Sequence, residues 1–385
     1  MSDYYLDAGA TTPVDNEAYS AMIPYFKDNF YNPSADYTPA YNVSKDIENA
    51  RAYIADYVGA LPSEVYFTSC ASESNSWAIQ GWIRKHQNGR VITTNIEHHS
   101  IMAIAEDPFY SKYIDVISVD DEGFILLETI YDAIEKASNE GIEPEDILVA
   151  VQYANNEIGT VQDILFLAEA VKATGAYFFT DATQAFACSW MELGFSKNID
   201  MMSMSGHKIG APKGIGILFI KNGIDLPPLI YGTQNFGKRG GTENVPYIMA
   251  LKEAFKNVKH GNKWKIGLVA ESLFEEINRI TPVKLNGGSR GSRLPNNLNI
   301  TFENKIIGQA IMSVLSAIGV YVSTGSACNA HSDEVSHVLK AIGLSEEDAL
   351  RTIRITLPDN ISMDDIPTIA SKFRTAIELL LEESD

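Results

Sequence analysis

The sequence predicts an α/β fold, a largely parallel sheet joined to a smaller α+β part, on three observations. Short apolar runs bounded by polar or small residues recur at residues 65–68, 90–94, 147–153, 176–180, 201–204 and 216–220. Strands buried on both faces read this way. Longer stretches of helical periodicity lie between them, such as residues 73–86 and 163–174, so strand and helix alternate as in a parallel sheet covered by helices. Beyond about residue 250 the pattern changes to a helical stretch, a strand at 298–302, a helix from Gly308, a strand from Val320 and a final helix ending in acidic residues. The loop 286–293, rich in turn residues, is expected to be exposed.

At 385 residues the chain suits two domains rather than one core. No apolar run reaches the roughly eighteen residues of a membrane helix, and the start Met-Ser-Asp-Tyr-Tyr-Leu-Asp has neither the basic nor the apolar region of a signal peptide. A cytoplasmic protein is expected, with no membrane partner. The net charge of −20 disfavours nonspecific attraction to nucleic acid or anionic lipid. Cys70, Cys188 and Cys328 are odd in number and far apart, which fits neither a disulfide framework nor a zinc site. The histidines show no ligand spacing, so no metal is expected.

Ligands of parallel sheets gather beyond the carboxyl ends of the strands, where Ser69, His98, Asn155, Asp181 and Lys208 fall. Thr68-Ser-Cys-Ala-Ser-Glu-Ser-Asn precedes a helix and offers Ala71 and Ser72 to a phosphate, although the same run serves as a plain capped helix start. His98 follows a strand and can stack on a planar ring or move protons; a structural histidine would read the same. Asp181 ends a strand where its carboxylate can hold a proton on a pyridine nitrogen, or cap the next helix. Gln184, three residues on, reaches the same face. Lys208, in Met-Ser-Met-Ser-Gly-His-Lys, follows an apolar strand and can form an imine with an aldehyde cofactor. Ser205 and His207 flank it as further phosphate contacts. Cys328 lies in a run of small residues that suits an exposed loop, and exposed free thiols are uncommon unless used. Cys188 reads as core. Arg354, between isoleucines on an alternating strand, suits a bidentate grip on a carboxylate.

Together these segments resemble the cysteine desulfurases of the pyridoxal-phosphate-dependent class V aminotransferase superfamily. The likeness runs from Leu6-Asp-Ala-Gly-Ala-Thr-Thr-Pro through Asn32-Pro-Ser, Ala71-Ser-Glu-Ser-Asn, Glu97-His-His, Asn155-Asn-Glu-Ile-Gly, Asp181-Ala-Thr-Gln, Ser205-Gly-His-Lys, Arg239-Gly-Gly-Thr-Glu-Asn and Gly325-Ser-Ala-Cys to Arg351-Thr-Ile-Arg-Ile. The cysteine loop resembles the first group of the family, related to iron-sulfur and nitrogenase maturation.

The resemblance implies a fold type I transferase with a mainly parallel seven-stranded sheet. Residues 15–250 would form the large cofactor-binding domain, and residues 1–14 and 251–385 a small domain carrying the cysteine loop. Lys208 would hold pyridoxal phosphate covalently and then move the substrate α-proton. Asp181 would pair with the ring nitrogen, Gln184 with the ring oxygen, and His98 would stack on the ring. Asn155 would lie near the ring and the substrate carboxylate, which Arg354 would clamp. Ala71, Ser72, Ser205 and His207 would hold the phosphate, joined by Thr242 of a second subunit in a homodimer. L-Cysteine would give L-alanine and a persulfide on Cys328, destined for a sulfur-acceptor protein in iron-sulfur assembly or another thiolation. An aminotransferase, a selenocysteine lyase and a scaffold that keeps the fold are the competing readings. The chain departs from the family pattern at Cys70, usually glycine, at Ser72, usually threonine, at Tyr37, often histidine, and at Asn329-Ala after the cysteine.

Overall fold

The computed structural model describes residues 3–87, 89–188, 197–258, 263–289, 291–324 and 335–382. Its strands in chain order are β1 (Tyr4–Tyr5), β2 (Val65–Thr68), β3 (Arg90–Thr94), β4 (Ile114–Ile117), β5 (Ile147–Gln152), β6 (Tyr177–Asp181), β7 (Met201–Ser205), β8 (Gly216–Ile220), β9 (Val283–Leu285), β10 (Asn297–Phe302), β11 (Val320–Tyr321) and β12 (Thr352–Thr356). Seven form one sheet in the order β2-β8-β7-β6-β5-β3-β4, as the family resemblance implied.

β4, β3, β5, β6 and β7 are parallel, and β8 runs against both of its neighbours, β7 and β2. Two reversals restore direction, so β2 points the same way as β7. Every residue of β2, β5, β7 and β8 is buried, as helices on both faces require. One apolar layer gathers Ile54, Val149, Phe178 and Phe255; the opposite layer holds Trp77, Trp82, Leu148 and Phe179.

β4 escaped the sequence reading for a physical reason. It is an edge strand of four residues carrying Asp115, which binds Arg90 at 2.9 Å and Lys136 at 2.6 Å. Charge on an edge strand blunts further pairing and breaks the apolar run that marks buried strands.

The later residues build a three-stranded antiparallel sheet, β12-β10-β9, and the N-terminal β1 pairs in parallel with β11. A separate apolar cluster covers them, with Leu273, Phe302, Ile353 and Phe373 at its centre. The loop expected to be exposed is instead fastened. Arg293 is buried and donates to the carbonyls of Asn286 (3.2 Å), Gly288 (3.0 Å) and Ile158 (3.1 Å), and Asn286 is buried as well. The turn-forming composition is unchanged by this, but one guanidinium draws the loop onto the larger sheet's connections. No helix among the described residues is long and apolar enough to cross a membrane.

Gly216 opens β8 where the chain after β2 passes. A Cβ there would lie 2.7 Å from the Cys70 carbonyl carbon and 2.9 Å from the Met204 oxygen, both backbone atoms. We expect Gly216→Ala to lower the denaturant-derived stability by about 1–3 kcal/mol, as overpacking of backbone does. An unchanged midpoint would show that the segment from Cys70 yields freely.

Candidate active site

The carboxyl ends of β2, β3, β5, β6 and β7 converge on a cavity of about 420 Å³. Ala71, Ser72, His98, Asp181, Gln184, Ser205, His207, Lys208 and Arg354 line it, together with Gly9, Ala10, Glu97 and Glu157. Residues up to 345 positions apart in the chain, Gly9 and Arg354, thus share one wall.

Lys208 ends the single 3-10 turn Gly206–Lys208 that follows β7. Its Nζ donates to the carbonyl oxygens of Gly9 and, at 2.7 Å, Ala10. The amine therefore rests on the N-terminal segment, beside space that a ring can take. Asp181, the last residue of β6, accepts from Asn75 Nδ2 at 2.8 Å through Oδ2 and from the Thr183 amide at 2.9 Å through Oδ1. Asn75 is itself fixed, because Ser203 Oγ donates to its Oδ1 at 2.5 Å. Gln184 Nε2 donates to Gly9 O at 3.0 Å.

His98 caps the helix His99–Glu106, its Nδ1 accepting from the Ser100 amide at 3.1 Å. Burial lowers its pKa; the neighbouring Asp181 charge opposes that, and Lys208 and His99 reinforce it. Burial, with Lys208 and Lys213 nearby, brings His207 down to about 4. Both rings are thus kept in the neutral form near pH 7.

The helix Ala71–Lys85 begins at the cavity, and its N-cap residue Cys70 makes no side-chain capping bond. The amides of a first helical turn have no acceptor within the helix, so an anion is a natural partner there. An amine, a carboxylate, an imidazole, hydroxyls and open helix amides around one space fit a phosphorylated pyridine aldehyde.

Arg354 is buried in β12 and donates to Asp7 Oδ1 at 2.8 Å and to the Asn156 carbonyl at 3.1 Å, while its buried Nε has no partner. The residue lines the cavity, where a guanidinium can meet a carboxylate. Asn155 does not join the lining. Its Nδ2 donates to Ile96 O and its Oδ1 accepts the amides of Glu157 and Ile158, so the side chain is spent on its own turn. Thr242 is exposed and lies outside the lining. Cys328 lies outside the described residues.

Sequence reasoning did not assign roles to Asn75, Glu97, Glu157 or the carbonyls of Gly9 and Ala10. All stand inside motifs it quoted, but their functions are second contacts that only the fold reveals. Glu97 is fully buried; Thr94 Oγ1 (2.6 Å) and the Gln152 amide (3.0 Å) donate to Oε1, and Oε2 is unpartnered. Burial pushes its carboxyl up to about 8, with Asp181 adding to the rise.

The aminotransferase class-V family model matches residues 4–368. The chain is 36% identical to a cysteine desulfurase IscS of Methanosarcina thermophila, over 98% of this chain and 95% of that protein. It is 39% identical to the cysteine desulfurase IscS of Clostridium botulinum strain Hall, over 94% and 91%. Among solved structures, SspA in complex with cysteine superposes with a TM-score of 0.79 at 35% identity, over 93% of this chain and 99% of that one.

In the fold, Glu97 keeps its proton to about pH 8, against an ordinary 4.5. Between those values the folded chain holds one proton more than the unfolded chain, so stability falls as pH rises through this window. Glu97→Gln is neutral throughout. Its melting temperature relative to the unsubstituted protein should rise steadily from pH 4.5 to pH 8, whereas parallel curves would show a carboxyl that ionises normally.

Proposed function

The chain belongs to the aminotransferase class-V family, and from its likeness to cysteine desulfurases along nearly its whole length we infer the chemistry of the cavity: the protein is a cysteine desulfurase. The observation that carries the residue-level reading is the convergence of Lys208, Asp181, His98 and Arg354 on one cavity.

The family implies pyridoxal phosphate, which supplies an electron sink for bonds at the substrate α- and β-carbons. We assign Lys208 to its covalent attachment and to proton movement at Cα. Asp181, fixed by Asn75 and Thr183, would pair with the pyridine nitrogen, Gln184 would serve the ring oxygen, and His98 would stack on the ring. Ala71, Ser72, Ser205 and His207 take the phosphate. Arg354, held at the cavity wall by Asp7 and the Asn156 carbonyl, takes the substrate carboxylate. Asn155 acts through its turn, which presents Asn156 and Glu157 to the same wall.

Cys328 receives the sulfur. Its sulfur bonds to the substrate sulfur as the substrate C–S bond breaks, and the electron pair stays with carbon, which takes a proton. One L-cysteine and one thiol give one L-alanine and one persulfide, with no other oxidant or reductant. The described residues flanking this segment, Ser323 and Ser336, support the assignment, since both are tied to residues of the cavity wall, Arg354 and Glu157.

We propose a homodimer in which Thr242 completes the other subunit's phosphate site. Exposed apolar side chains, among them Tyr19, Phe26, Phe30, Tyr37 and Tyr41, support a covered face. We propose a large domain of residues 15–250 and a small one of 1–14 and 251–385, which the separate sheets support, although the helix Val245–Asn257 crosses the boundary and Leu251, Ala254 and Phe255 pack in the larger sheet's apolar layer. Three cysteines, odd in number and far apart in the chain, suit a cytoplasmic setting. The persulfide passes to an acceptor protein, for iron-sulfur assembly or another thiolation.

Incubation with L-cysteine should release alanine and add one sulfur, about 32 Da, to the peptide holding Cys328. Cys328→Ala should keep the yellow cofactor band and lose persulfide by at least a hundredfold; Lys208→Ala should lose both alanine and the covalent cofactor. Sulfur transfer at full rate in Cys328→Ala would overturn the assignment.

A further inference from the structure

Both described flanks of the segment that contains Cys328 end on the wall that holds Arg354. On one side, Ser323 and Arg354 exchange two backbone hydrogen bonds, of 3.0 and 2.6 Å. On the other, Ser336 caps the helix His337–Ala341, its Oγ accepting from the Val338 and Leu339 amides at 3.2 and 3.3 Å. The same hydroxyl donates to Glu157 Oε2 at 2.6 Å. Ser336 and Glu157 are 6% and 4% exposed, so the bond is sheltered from competing water.

Glu157 is well placed to anchor because its own backbone is immobilised. Its amide donates to Asn155 Oδ1 at 2.8 Å, and its carbonyl accepts from Asn297 and Asn299, both at 3.2 Å. The carbonyl of the preceding residue, Asn156, accepts from Arg354. By contrast, the helix it captures has five residues, far too few to persist on its own. It is docked by Val338, Leu339 and Ile342 against Ile96 and Ile158, and by His337 Nε2 on the Glu97 carbonyl at 2.9 Å. Apolar contact fixes its depth but not its rotation, whereas the hydroxyl-carboxyl bond is directional.

We propose that Glu157 is a positioning residue for sulfur transfer. Through Ser336 it holds the C-terminal side of the cysteine-bearing segment to the wall that binds the substrate carboxylate. Transfer of sulfur to Cys328 therefore depends on it, and binding of cofactor and L-cysteine does not. This rests on the desulfurase reading with Cys328 as sulfur receiver.

Glu157→Ala and Ser336→Ala remove the bond from either side, and Glu157→Gln retains an acceptor oxygen. In the full-length holoenzyme, we expect both alanine variants to keep the cofactor content and the L-cysteine spectral titration midpoint within twofold of the unsubstituted protein. Their first-turnover persulfide formation should slow at least tenfold, the double variant should be no slower than the slower single one, and Glu157→Gln should recover most of the rate. Without cofactor, amide exchange at Val338 and Leu339 should quicken in Glu157→Ala. Persulfide rates within twofold of the unsubstituted protein overturn the proposal, and so does a parallel loss of cofactor and L-cysteine binding, which marks a merely structural role. A slow Glu157→Gln would shift the role from acceptor to charge and overturn it also. An unsubstituted protein that forms no Cys328 persulfide sinks the desulfurase reading and this proposal with it; a working one with unaffected variants sinks this proposal alone.

Discussion

Because β2, β3, β5, β6 and β7 run in one direction, the segments that follow them meet at one edge of the sheet, and the cavity exists only there. The reversed β8 makes this possible. Placed between β7 and β2 and antiparallel to both, it leaves β2 pointing the same way as β7, so β2 delivers the open start of the Ala71–Lys85 helix beside Lys208. Gly216, at the head of β8, is the closest point of that arrangement, with the Cys70 backbone passing where a side chain would stand.

Convergence carries an electrostatic cost, since a wall built from strand ends is largely desolvated and charged forms are disfavoured inside it. The response is uniform: burial pushes Glu97 up to about 8 and Glu157 up to about 7, and lowers His98, His207 and His337. Glu97 and the histidines become hydrogen-bonding elements rather than competing charges near neutral pH. Fewer ionised side chains then contend for Lys208, while Arg354 keeps an ion pair with Asp7.

Most of the larger sheet was legible because buried parallel strands are continuous apolar runs, and a neighbour's charge does not disguise them. β4 was lost to Asp115, and the fastening of residues 286–293 was lost because a single arginine, not the turn composition, decides it. At the site, Lys208, Asp181, His98 and Arg354 could be read because their chemistry is specific to residue type. Asn155 was legible as important but not in its contacts: an asparagine can touch a ligand or close a turn with the same amide, and here it closes a turn. Glu157 carries no spacing signal, since its partner Ser336 lies 179 residues away.

The N-terminal segment shows why the smaller sheet must be part of the site. β1 pairs with β11, Asp7 bridges to Thr356 and binds Arg354, and Gly9 passes so close to Thr356 that a Cβ would meet its hydroxyl at 2.8 Å. The same few residues then cross to the larger sheet, where Gly9 and Ala10 receive Lys208, Gly9 receives Gln184, and Thr12 donates to the His207 carbonyl. One short stretch of backbone therefore sets the separation between the lysine and the arginine.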